Sequence, residues 1–215
     1  MGNNVLLTHS YFYRFDQKQW KSKRYYPPLG TLYAASVLRG EGADVVFHDT
    51  NLTESPGELI PLLEQHQPDM LVIYDDGFNY LTKMCLTNMR EAAFEMIRMG
   101  KEKDCTVIVS SSDSTDHYRE YLEKGADYII LGEGEETLRE LFIALRKNNI
   151  DPGEIQGIAY KAGDKVIKNE LRPVIRDLDS LPFPSWDLAD LDLYKYIWLK
   201  NHGYYSINLA TTRGC

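Results

Sequence analysis

The residues best suited to chemistry sit in a few short stretches. Asp75 and Asp76 form a carboxylate pair that follows an apolar run. "SSSDST" (110–115) groups small hydroxyl side chains around Asp113. Small residues let a bulky ligand approach the backbone, and hydroxyls donate hydrogen bonds to it; Ser110, Ser111, Ser112 and Asp113 are therefore candidate binding residues. The same residues also suit a turn and a helix N-cap, and the two roles are compatible. "GEGEET" (132–137) resembles a phosphate loop, but Glu133, Glu135 and Glu136 would repel a pyrophosphate and satisfy a helix N-terminus themselves. A glycine turn before a helix is the better reading, with Gly132, Glu133 and Gly134 bordering a ligand edge. No G-x-G-x-x-G or P-loop is completed.

The segment "SYFYRFDQKQWKSKRYYPP" (10–28) is long for a connection and is both basic and aromatic. Two readings stand: a flap over a large, flat, partly anionic ligand, or a solvated loop with some aromatics tucked beneath it. His9, His48, His66, His117 and His202 form no metal-ligand pair by spacing and read as structural. Cys85 and Cys105 fall on an apolar helix face and a strand start and read as core.

These stretches need elements to position them. Apolar runs at 3–9, 43–49, 69–76, 105–112 and 126–134 predict five strands, each followed by a helical pattern. One helix carries Leu29, Leu32, Tyr33 and Val37, and another carries Leu81, Met84, Cys85, Met89, Ala92 and Met96. Ser55, Pro56 and Glu58 predict a capping box with proline at the first helical position, and Pro61 predicts an irregular first turn. A single helix is expected from about Ser114 to Lys124. Apolar strands alternating with helices mean an α/β fold: a doubly wound, flavodoxin-like, five-stranded parallel sheet, with ligands beyond the carboxyl ends of its strands. A phospho-receiver on that sheet would need an acidic pair after the first strand and a lysine after the fifth. The sequence has "THSYF" and "LGEG" there. A flavin site would need a hydroxyl- and glycine-rich phosphate loop after the first strand, which is also missing.

After residue 150 the pattern changes. "IQGIAYKAGDKVIKNE" predicts a hairpin turning at Gly-Asp, "RDLDSLPFPSWDL" reads as a linker with Pro182 and Pro184, and "YSINLATTRGC" reads as a fresh strand. The expected division is 1–150, 151–185 and 186–215. With 43% hydrophobic and 26% charged residues the composition is globular. A net charge of −8 argues against a nucleic-acid binder. No run of 18 apolar residues and no signal peptide are present, so no membrane role is expected. Three scattered cysteines fit a reducing cytoplasm.

The blocks "PPLGTLYAASVLRGEGADVVFHD", "SSSDSTDHYREYLEKGADYIILGEGEETL", "IQGIAYK", "RPVIRDLDSLPFPSWDL" and "INLATTRGC" together resemble the N-terminal half of cobalamin (B12)-binding radical SAM proteins. The group includes the anaerobic Mg-protoporphyrin ester cyclase type, and the resemblance runs over essentially the whole chain. It implies that residues 1–150 bind cobalamin, a small-molecule cofactor, with the corrin over the strand ends and the nucleotide tail near the fourth strand. By block matching, Pro28, Leu29 and Gly30 join Asp75, Asp76, Ser110–Asp113 and Gly132–Gly134 as binding candidates. It implies that 186–215 opens a radical SAM barrel, and that Cys215 is the first thiolate of a C-x-x-x-C-x-x-C motif. That motif would hold a 4Fe–4S cluster and S-adenosylmethionine in the full-length parent, the other two cysteines lying outside this chain. The fragment itself is expected to bind cofactor and not to catalyse. Many cobalamin domains carry D-x-H-x-x-G, whose histidine ligates cobalt from below. Two residues before the five histidines stand Leu7, Val46, Glu64, Thr115 and Lys200, so no lower histidine ligand is expected. The alternatives are a cobalamin carrier without radical chemistry, and a non-catalytic sensing or interaction module on the same sheet.

Overall fold

The computed structural model describes residues 2–79, 86–147 and 151–213. Leu81, Met84, Cys85 and Cys215, and the expected boundary at 150, lie outside them. Five parallel strands form the centre: β1 (Asn4–Thr8), β2 (Asp44–His48), β3 (Met70–Tyr74), β4 (Thr106–Ser110) and β5 (Tyr128–Ile130). Two further strands, β6 (Ile158–Ala162) and β7 (Lys165–Lys168), continue the same sheet in the order β2-β1-β3-β4-β5-β6-β7. The hairpin is thus an antiparallel extension of the sheet, with Ile130 opposite Ile158 and Tyr128 opposite Tyr160.

Alternating side chains supply two apolar layers because the strand period is two. Val5, Leu7, Met70, Val72 and Ile108 face α2 (Leu29–Gly40) and α7 (Glu135–Lys147). Leu6, Leu71, Ile73, Val107 and Val109 face the opposite layer with α3 (Leu59–His66), α4 (Leu86–Glu102) and α6 (Tyr118–Glu123).

The structure corrects several local expectations. The capping box at Ser55 does not form: Pro56–Glu58 is a 3-10 turn, the Ser55 side chain caps nothing, and Glu58 Oε1 accepts from Glu54 N at 2.6 Å. Pro61 lacks an N–H and would clash with a carbonyl one turn back. Starting α3 at Leu59 leaves Pro61 in the first turn, where no donor is needed. The helix expected over 114–124 is two, α5 (Ser112–Asp116) and α6, broken at His117. The terminal strand is absent as well: residues 205–213 pair with no neighbouring strand, and an extended segment without a ladder partner is not a strand.

Among the described residues, two helices were not expected, a short one inside the aromatic loop and a longer one near the end of the described chain. α8 (Leu191–His202) carries Tyr194 and Trp198, each 1% exposed, into the core. Both meet the aromatic loop, which also contains the short α1 (Gln17–Ser22). Trp198 Nε1 donates to Tyr25 O at 2.7 Å. Tyr194 Oη donates to Asp49 Oδ2 at 2.6 Å and accepts from Asn51 Nδ2 at 2.9 Å. Among the described residues no helix is long and apolar enough to cross a membrane.

Candidate functional site

A cavity of about 500 Å3 opens at the carboxyl ends of β3, β4 and β5. Its lining brings together Gly30, Asp75, Ser110, Ser111, Ser112, Gly132, Glu133 and Gly134 from four separate stretches of sequence. Topology is the cause. β3, β4 and β5 are neighbours, and the chain leaves each of them at the same edge. The volume is typical of small-molecule sites.

Close approach explains the small residues. A Cβ on Gly134 would stand 2.5 Å from Tyr74 Oη and 3.0 Å from Ser110 Oγ. A Cβ on Gly30 would stand 3.1 Å from both Asp76 Cα and Gly77 N, which cannot move aside as a side chain can. Ser111 is the N-cap of α5: its Oγ accepts from Ser114 N at 2.8 Å, and Ser114 Oγ accepts from Ser111 N at 2.9 Å. The hydroxyl-rich turn is thereby fixed in place without using the Ser110 and Ser112 side chains for the cap.

Four candidates from the sequence do not line the cavity. Asp76 is buried and accepts from Gly30 N at 2.9 Å, Leu29 N at 3.1 Å and Phe78 N at 3.0 Å. It anchors the N-terminus of α2, with Pro28 as the preceding residue and Leu29 turned into the core. Asp113 is buried and points away into a staple: Arg90 donates to both its oxygens at 2.7 and 2.6 Å, and Tyr121 Oη at 2.8 Å. These residues shape the walls from behind.

The carboxylates differ in charge tendency. Burial raises Asp75 above the usual carboxylate value, against hydrogen bonds from Ser10 N (2.7 Å) and Ser10 Oγ (3.0 Å). Burial likewise raises Asp76. Burial also pushes on Asp113, but the Arg90 and Tyr121 hydrogen bonds outweigh it and hold that carboxyl below the usual value. Burial, with the Glu135 charge adding to it, drives Tyr74 well above the usual phenol value, so it is a neutral hydrogen-bonding group.

Several lining residues lie outside the named binding candidates, although Phe78, Thr115 and Glu135 fall on the strand ends expected to face a ligand: Tyr74, Phe78, Thr115, Asp116, Glu135, Thr212 and Arg213. The first pair sits beside Asp75 and Asp76, and the next two follow Ser112, so proximity was an available signal. Arg213 had none, since its partner Glu135 is distant in sequence. The lining holds Asp75, Asp116, Glu133 and Glu135 against Arg213 alone, a balance unsuited to a polyphosphate. Glu133 Oε2 accepts from Ile175 N at 2.7 Å, and Glu136 pairs with Arg139. No lining residue is a histidine. His9 lies at the end of β1, with Nε2 3.0 Å from Asp49 Oδ1 and Nδ1 3.0 Å from Thr50 Oγ1. Among the described residues no group of His, Cys, Asp and Glu is placed to hold a metal ion.

The aromatic loop resolves mainly toward its core reading. Tyr11, Phe12, Tyr13 and Tyr25 are at most 2% exposed, and none of them lines the cavity. A module that grips a flat ligand with these rings loses its carriers.

Residues 21–142 match the family model described as the B12 binding domain. The chain is 28% identical over 200 residues to the anaerobic magnesium-protoporphyrin IX monomethyl ester cyclase of Synechocystis sp., covering 90% of this chain and 37% of that protein. It is 28% identical over 179 residues to an uncharacterized methyltransferase of Pyrococcus horikoshii, covering 79% and 35% respectively. It therefore spans about a third of the length of these relatives. Among solved structures it superimposes on the cobalamin-dependent S-adenosylmethionine radical enzyme OxsB, bound to aqua-cobalamin and S-adenosylmethionine, with a TM-score of 0.70. That match has 22% identity and covers 99% of this chain and 27% of OxsB.

Proposed function

The chain belongs to the B12-binding domain family, and from that premise we propose that it binds cobalamin at the cavity over β3, β4 and β5. The observation that carries this reading is the convergence of Gly30, Ser110–Ser112 and Gly132–Gly134 on one cavity in a doubly wound sheet. In such sheets ligands sit beyond the carboxyl ends of the strands.

The donor set suits the cofactor. Cobalamin is ringed by carboxamides, which pair with hydroxyls and carboxylates as readily as with cations. Ser110, Ser111, Ser112 and Thr115 would hold the nucleotide tail, and the glycines at 30, 132 and 134 leave room for it. Asp75, raised by burial, offers either an acceptor or a proton to a ligand amide. Asp76 and Asp113 position these walls from behind. As the sequence leads us to expect, the cofactor would be held without a lower histidine ligand. Cobalamin, when bound, would supply a cobalt centre able to carry an alkyl group.

We place the cofactor-binding unit at 1–150, the hairpin and linker at 151–185, and the start of a radical SAM domain at 186–215. In the longer protein that domain would hold the 4Fe–4S cluster, with Cys215 as its first ligand, and S-adenosylmethionine. Methyl transfer or radical rearrangement on an unreactive carbon would be its task, and the present chain would bind without catalysing. The small share of each relative that is covered supports this division. Titration with hydroxocobalamin tests the reading. Perturbed corrin absorbance and co-elution on gel filtration are expected. An unchanged spectrum with separate elution at micromolar concentrations overturns it.

A further inference from the structure

The last described segment reaches the cavity with Thr212 and Arg213, and its fastening is unequal along its length. Tyr26 Oη lies 3.4 Å from Ser206 Oγ, and Asn208 Nδ2 donates to Pro27 O at 3.2 Å. The first is longer than an ordinary O–H···O bond, and the second is at the long end for N–H···O. Arg213 is fastened differently. Its guanidinium forms a two-pronged pair with Glu135, Nη1 donating to Oε2 at 3.0 Å and Nη2 to Oε1. The two side chains are only 14% and 4% exposed. The guanidinium also lies 5.0 Å from the Phe78 ring centroid and 6.0 Å from that of Tyr33. Thr212, Arg213, Glu135 and Phe78 all line the cavity.

We propose that the Arg213–Glu135 pair is the clamp that holds the end of the segment 206–213 against the cavity, and that it governs how long a ligand stays there. Three physical points meet in it. A bidentate arginine–carboxylate pair fixes orientation as well as distance. A buried pair is strongly penalised when one partner is lost, because the other is left charged and unmatched. Glu135 opens α7 directly after the Gly132–Gly134 turn, so the clamp ties the chain's last described residues to the wall that meets the ligand. Occupancy of the cavity and the path of 206–213 are therefore coupled, and coupling is reciprocal. Arg213 is a positioning residue here, acting through Glu135. The ligand part of this inference rests on the cobalamin reading.

The test compares wild type, R213A, R213K, E135Q and the charge-exchanged R213E/E135R in the 215-residue chain. Hydroxocobalamin dissociation is followed by absorbance, and amide hydrogen exchange of residues 206–213 is followed without ligand. R213A and E135Q are expected to release cobalamin on the order of tenfold faster. In R213A the segment should exchange faster in the free protein. R213K should fall between R213A and wild type, and the exchanged pair should recover much of the loss, which a general folding defect would not allow. Wild-type dissociation and wild-type exchange in folded R213A or R213K overturn the clamp. Failure of wild type itself to take up hydroxocobalamin overturns the cobalamin reading and the ligand half of this one. Faster exchange in R213A would then still support the clamp as a fastening of the segment.

Discussion

The carboxyl ends of the parallel strands carry two unlike surfaces. Over β1 and β2 the space is filled: Tyr11, Phe12, Tyr13 and Tyr25 pack together, and α8 seals them with Tyr194 and Trp198. Over β3, β4 and β5 the space is kept open by serines and glycines around a 500 Å3 cavity. Large rings gain most by being buried, so they close the half they occupy. Side chains with little surface gain little from packing, so where they cluster at a strand end the fold leaves a hollow. The chain thus spends the aromatics of its 10–28 loop and α8 on stability, and its serines and glycines, alongside Tyr74 and Phe78, on the site.

The strongest test of this contrast separates folding from binding. Trp198→Ala should cost about 3–5 kcal/mol in urea unfolding, by cavity creation and loss of the bond to Tyr25 O. The fraction still folded should bind hydroxocobalamin as wild type does; weakened binding there would break the division between the two halves. Ser112→Trp should do the converse. The site is exposed at the N-terminus of α5, so stability should stay within about 0.5 kcal/mol. Filling the cavity should weaken hydroxocobalamin binding about a hundredfold, equal to about 2.7 kcal/mol.

A third change addresses the wall behind the open half. Asp113→Asn should lower stability at pH 7 by about 1–3 kcal/mol, since Arg90 and Tyr121 lose a charged acceptor. The carboxyl of Asp113 is held below its usual value in the folded state. Its contribution is therefore present above the unfolded carboxylate pKa and is lost as pH falls through the lowered folded value. The gap between variant and wild type should narrow in acid. Asp75 has the opposite sign: burial raises it, so the penalty of ionising it grows as pH rises through the raised value. Asp75→Asn should remove that penalty and flatten the stability profile at mildly acidic pH. The smallest effect is expected for Tyr194→Phe, about 1 kcal/mol by thermal unfolding, because Asp49 and Asn51 keep other partners.

The five strand–helix units and the hairpin could be read because apolar runs and turn residues repeat locally. The cavity rim could be read too, because a doubly wound sheet fixes where strand ends meet. The helix α8 could not. "LDLYKYIWLK" mixes rings, lysines and aspartate without a clean apolar stripe, and its burial depends on the loop 10–28 far away in sequence. The fate of that loop was undecidable for the same reason: its rings had no visible partner. Asp76 and Asp113 stand next to lining residues in sequence, but their direction depends on Gly30 N and Arg90, and no local pattern encodes that. Arg213 with Glu135 is the extreme case, a pair 78 residues apart.

The hairpin has a consequence beyond completing the sheet. β5 is only three residues long, and Ile129 and Ile130 are fully buried. Without β6 and β7 its unpaired amides and carbonyls would form an apolar seam, open to any passing strand. The hairpin moves that seam outward to β7, where the exposed Lys165 and Lys168 flank it. Like charges would then face one another if two copies approached edge to edge. The short hairpin thus guards this edge of the sheet, opposite the edge formed by β2, from becoming the template for the next molecule.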